Sequence, residues 1–95
     1  MNVTLLILQA LGYQGGTIHQ ASQETGLTTA QIIDLSEITG NQKAINSDYS
    51  KGWFSIRTGS GEFFKNNLAP QYKGNQEFWA GVVRGLYLTQ QSQKV

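Results

Sequence analysis

One helix-start signal occurs twice, on either side of a glycine turn, and this pair constrains the chain more than any other feature. Thr17-Ile18-His19-Gln20 and Thr28-Thr29-Ala30-Gln31 share the Thr-x-x-Gln spacing. In that spacing the hydroxyl and the amide can each satisfy a backbone group left free at a helix start. Behind the first signal, Ile18, Ala21 and Thr25 fall on one helical face. Behind the second, Ile32, Ile33, Leu35 and Ile38 follow until Gly40. Only Thr25-Gly26-Leu27 stands between the two helices, and Gly26 provides the backbone freedom a sharp turn needs. Upstream, Val3, Leu6, Ile7, Leu8, Ala10 and Leu11 predict an earlier helix that stops at Gly12.

Residues 17 to 37 resemble the helix-turn-helix of prokaryotic regulators. Ala21 and Ser22 are small enough for close helix contact, Gly26 stands in the turn, and Leu27, Ile32 and Leu35 match the buried positions that lock the pair. An ordinary helical hairpin is the alternative.

Beyond Gly40 the pattern changes. Lys43-Ala44-Ile45-Asn46 and Trp53-Phe54-Ser55-Ile56-Arg57 read as strands joined by the polar turn Ser47 to Gly52. A rival hairpin would pair Trp53 to Arg57 with Glu62 to Lys65. The preferred order, three helices and then a two-stranded hairpin, extends the resemblance to a winged helix-turn-helix over residues 3 to 58. A helix starting near Ser60 should end before Pro70. A last helix begins near Asn75, with Phe78, Val82, Leu86 and Thr89 in one stripe and Trp79, Val83 and Tyr87 beside it. A strand over 82 to 89 stays open as an alternative. Gly81 and Gly85, each worth about 1 kcal/mol against alanine in a helix, would admit a close neighbour such as the first helix. The expected fold is therefore α+β, mainly α: a winged helix-turn-helix followed by two C-terminal helices. It forms a single domain over 1 to 95, with the winged part at 3 to 58 and the helical part at 60 to 90.

Composition narrows the function. The chain of 95 residues has no cysteine, which removes disulfides, thiolate metal sites and cysteine nucleophiles and favours a reducing cytoplasm. Val3 to Leu11 is too short to span a bilayer and lacks the flanks of a signal peptide. His19 is the single histidine, too little for zinc, and Gly59-Ser60-Gly61 lacks the lysine of a P-loop. We therefore expect no enzyme, no metal and no cofactor. Charge is divided along the chain. Residues 1 to 42 carry Glu24, Asp34 and Glu37 and no Lys or Arg; residues 43 to 95 carry all seven basic residues against three acids.

The resemblance implies a DNA-binding regulator of transcription or of a mobile element. The third helix would offer Thr28, Thr29 and Gln31 to the major groove, with Ala30, Ile33 and Asp34 on the same face. The wing would set Lys43, Ser50, Lys51 and Arg57, with Asn46 nearby, against the backbone. The sequence departs from that pattern in having no Lys or Arg on the third helix, where Asp34 and Glu37 would oppose phosphate. Gln31 also cannot serve fully as both reader and cap. The alternative is a protein-binding adaptor or inhibitor on the same scaffold, without DNA reading. Basic and aromatic residues interleave from Lys51 to Arg84, as in single-strand binders, but a domain of this size needs its aromatics for a core, which is the preferred reading, with Tyr72 and Trp79 as the exceptions. Phe78, Trp79, Val82, Val83, Leu86 and Tyr87 are the expected face of a homodimer.

Overall fold

The computed structural model describes residues 2–40, 47–58 and 61–92. Among them every regular element is helical. The first three are α1 (Val3–Ala10), α2 (Ile18–Thr25) and α3 (Thr29–Gly40). Each begins on a cap. Asn2 Oδ1 accepts the Leu5 N–H at 3.0 Å, and Thr17 Oγ1 accepts the Gln20 N–H at 3.2 Å. Thr28 and Gln31 complete the reciprocal box, with Thr28 N–H donating to Gln31 Oε1 at 2.9 Å and Gln31 N–H to Thr28 Oγ1 at 3.1 Å. The turn between α2 and α3 passes through Gly26 at φ +74°, the left-handed conformation that ends α2.

That turn is fixed by two hydroxyls, of buried Thr25 and half-buried Ser22. Thr25 Oγ1 donates to Ala21 O at 2.7 Å and accepts the Leu27 N–H at 3.2 Å, while Ser22 Oγ donates to Leu27 O at 2.6 Å. Leu27, Ile32 and Leu35 are buried as expected of the residues that lock the two helices.

Among the described residues the expected wing is not present. Trp53–Arg57 lies within α4 (Ser47–Thr58), as does the supposed turn at Ser47 to Gly52; Lys43–Asn46 lies outside the described residues. The α+β winged-helix reading is thereby corrected to an all-helical arrangement of the described residues. The apolar alternation at Trp53 to Arg57 is the local appearance of a helical stripe, in which Tyr49, Gly52 and Ile56 turn inward. Asp48 stands in the first turn of α4, where a negative charge suits the helix dipole.

After α4 the chain makes a short α5 (Gly61–Phe63), a π-helical stretch (Phe64–Leu68) and a 3₁₀ turn (Ala69–Tyr72). The run that begins at Gly61 thus ends at Leu68, before Pro70 as expected, and a separate 3₁₀ turn follows. The spacing tightens there, so that the proline, which lacks an N–H, stands at the start of a new element. Three residues before Pro70, the Asn67 carbonyl accepts from Gln71 Nε2 at 2.8 Å.

The last helix, α6 (Gln76–Ser92), is capped by Asn75, whose Oδ1 accepts the Phe78 N–H at 3.1 Å. It stays helical through 82–89, which excludes the strand alternative. Its glycines meet α4 rather than α1. A Cβ on Gly81 would overlap the Tyr49 carbonyl oxygen and stand 2.9 Å from Trp53 N, and one on Gly85 would come within 2.8 Å of Trp53 O. From the other side, a Cβ on Gly52 would overlap the Phe78 carbonyl. The two backbones touch at this crossing, which no side chain could share.

Around it the aromatics interlock. Tyr72 stacks on Phe78 with centroids 4.0 Å apart, Phe78 and Trp79 meet edge to face at 5.5 Å, and Phe64 meets Trp79 edge to face at 5.6 Å. Trp79 is fully buried, with its indole N–H donating to Tyr72 O at 3.2 Å. Residues of α1, α2, α3, α4 and α6, with Leu27, Phe64 and Ala69, form one continuous core.

Candidate functional site

The outer face of α3 is a consequence of its inner one. Burying Ile32 and Leu35 against the core turns Ile33, Asp34, Ser36 and Glu37 toward solvent. Ile33 is 64% exposed, the most exposed large apolar side chain among the described residues. Beside it a shallow open depression of about 590 Å³ runs between α3 and the start of α1, bounded by Asn2, Val3, Thr4, Ile32, Ile33 and Ser36. The face stands on a rigid base. Gly74 N–H donates to Thr25 O at 2.6 Å, and Gln76 Nε2 donates to Gln31 O at 3.0 Å, so the approach to α6 is stitched to the turn and to α3.

The described residues expected to read DNA fall on two helices, α3 and α4. Thr28 is exposed and Thr29 half-buried at the start of α3, while both Gln31 and the Thr28 hydroxyl are engaged in the capping box. Ser50 and Lys51 lie on α4, Ser50 half-buried and Lys51 exposed, rather than on a wing. Arg57 also falls in α4; its side chain, like all of Lys43 and Asn46, lies outside the described residues.

The expected dimer face is placed differently again. Phe78 is 1% exposed, and Trp79, Val82 and Val83 are 0% exposed, all within the core of this chain. Leu86 and Tyr87 are half-buried against the same core. Trp79 is therefore a core residue and unavailable for stacking on a base. Tyr72 is half-buried, held by its contact with Phe78.

A second surface was not legible in the sequence. Ser50, Lys51, Phe54 and Ser55 of α4 face Leu68 and Tyr72 across a groove of about 360 Å³. Phe54 is 53% exposed, with its ring edge-on to Trp53 at 5.0 Å. Lys51 is exposed on the groove's wall, and the exposed Lys73 directly follows Tyr72. Once Trp53 to Arg57 is read as helix, its helical phase gives the one available signal, since Phe54 then falls off the inward stripe.

Among the described residues two ionisable groups are perturbed. Lys65 Nζ donates to the Tyr13 hydroxyl at 3.0 Å, which in turn donates to Glu24 Oε1 at 2.7 Å. The Tyr13 hydrogen bond raises the Lys65 pKa above its ordinary value, the Tyr13 charge adds to this, and Glu24 contributes further. Burial pushes the Tyr49 phenol up, against the lowering field of Arg84.

Among the described residues no three His, Cys, Asp or Glu side chains converge as a metal site would require, and His19 is exposed on α2. No helix among them is long and apolar enough to cross a membrane. No protein-family model, no curated protein and no solved structure matches the chain.

Proposed function

We propose that this chain is a protein-binding module that works through the outer face of α3, on a helix-turn-helix frame without a DNA-reading role. The observation that carries this reading is Ile33, 64% exposed beside the exposed Asp34 and Glu37 on a helix tied to α6 by Gln76. An apolar residue framed by carboxylates is suited to an apolar site framed by Lys or Arg. It is poorly suited to a phosphate backbone, which would be repelled by both carboxylates. The commonest base-specific contact needs arginine, and α3 has neither arginine nor lysine. Gln31, which would bond adenine, is engaged at both its amide and its own N–H in the cap. Burial of a central apolar anchor behind a polar rim is the usual anatomy of a protein interface.

The test is an amide-shift titration of the full chain with two probes. One is an amphipathic peptide bearing leucines flanked by lysines; the other is mixed-sequence duplex DNA at low salt. The peptide should shift the amides of Ala30 to Glu37, lose that effect in the Ile33→Asp variant, and find no counterpart in the duplex. Duplex-induced shifts along α3 that fade with salt would overturn the reading, as would a peptide that leaves α3 untouched.

A further inference from the structure

We propose that the partner of the α3 face is a second copy of this chain, received in the groove between α4 and the 3₁₀ turn. The inference rests on the protein-binding reading of α3 and names its partner. The two surfaces are complementary in kind. One presents an apolar side chain, Ile33, beside Asp34 and Glu37; the other is an apolar trough of Phe54, Leu68 and Tyr72 with Lys51 on its wall. They share no lining residue, so one chain can use both at once.

Charge agrees with this pairing over the whole sequence. Residues 1 to 42 have three acids and no base, giving −3; residues 43 to 95 have seven bases and three acids, giving +4. A contact that sets the first half of one copy against the second half of another is therefore attractive, and screening by salt weakens it. A symmetric contact of α3 with α3 would instead oppose carboxylate to carboxylate. Joining two different patches is a heterologous contact, which propagates into a ring or an open chain rather than stopping at a dimer.

This geometry has a signature that a symmetric dimer lacks. The Ile33→Asp variant loses its knob and keeps its groove. The Lys51→Glu, Phe54→Ser double variant loses its groove and keeps its knob. All three positions are exposed, so both proteins should fold, and their circular dichroism is compared with that of the native chain.

Sedimentation equilibrium of the native protein should show a mass that rises with concentration and falls with added NaCl. Each variant alone should associate about thirtyfold more weakly, as when a central apolar anchor is removed. Mixed in equal amounts, the two variants should form a one-to-one dimer and nothing larger, because only one good interface remains between them.

A native chain that stays monomeric at every concentration overturns the proposal, as does a mixture that fails to associate. So does a groove whose amides shift with a single-stranded oligonucleotide while the protein remains monomeric. A monomeric chain whose α3 amides still respond to the lysine-flanked peptide would overturn self-docking alone and leave the protein-binding reading standing. Failure of both removes both.

Discussion

The two halves of this molecule reach helical structure by different routes. From α1 to α3 the chain is specified locally: a side chain caps each helix start, and Gly26 turns the backbone where no other residue would do so without strain. From α4 to α6 the controlling feature is the absence of side chains at Gly52, Gly81 and Gly85, which allows two backbones to touch. The first half can be read from neighbours in sequence. The second becomes intelligible only when the partner helix is known. Local capping makes a helix start in the right place, whereas close approach decides which helices belong together.

The sharpest way to break this comparison is Gly81→Ala. Judged alone, that helix should gain about 1 kcal/mol from the exchange. Overpacking commonly costs about 1–3 kcal/mol, and here the new methyl meets the Tyr49 and Trp53 backbone rather than a yielding side chain. We expect a net loss of about 2 kcal/mol in urea unfolding; a stabilised variant would show that α4 and α6 are further apart than described.

Thr25→Val probes the first half with a smaller effect. It keeps the shape but removes the hydroxyl that accepts the buried Leu27 N–H, which should cost about 1.5 kcal/mol in the same assay. An unchanged midpoint would mean that the turn holds without it.

The smallest effect is in pH. The Tyr49 phenol has a raised pKa in the folded chain, so the folded state keeps its proton more tightly than the unfolded one. Its contribution is complete below the ordinary value of 10.0 and declines as pH rises through the folded value. Lys65, also raised, acts in the same direction above its ordinary 10.5. Stability should thus start to fall above about pH 10, and Tyr49→Phe should flatten part of that slope. An identical alkaline slope in the variant would remove Tyr49 from the account.

What the sequence revealed follows the same division. The start of α3, the Gly26 turn, the stop at Gly12 and the onset of the last helix near Asn75 were all legible, because the signals are short-range hydrogen-bonding residues. The helix at Trp53 to Arg57 was hidden by composition. Its aromatic and branched residues favour strands, and contact with α6, remote in sequence, overrides that preference. Gly81 and Gly85 did signal a close neighbour, but not which one. Of the candidate surfaces, the α3 face could be drawn from helical phase once Ile32 and Leu35 were assigned inward. The groove could not be, because Phe54, Leu68 and Tyr72 come from three separate elements, one of them a turn that begins around a proline.

The hydrogen bond from Gly74 to Thr25 bears on how the chain matures during synthesis. The α2–α3 turn is encoded early, yet its backbone strut is supplied by a residue translated long after it, just before the last helix. A ribosome that has made both helices has not yet made the piece that braces them, and Gln76, which ties α3 to α6, comes later still. A nascent chain arrested before residue 74 would hold the two helices with the Thr25 carbonyl open to solvent. The face presented by α3 would thus be braced only once residues 74 to 76 have joined the fold.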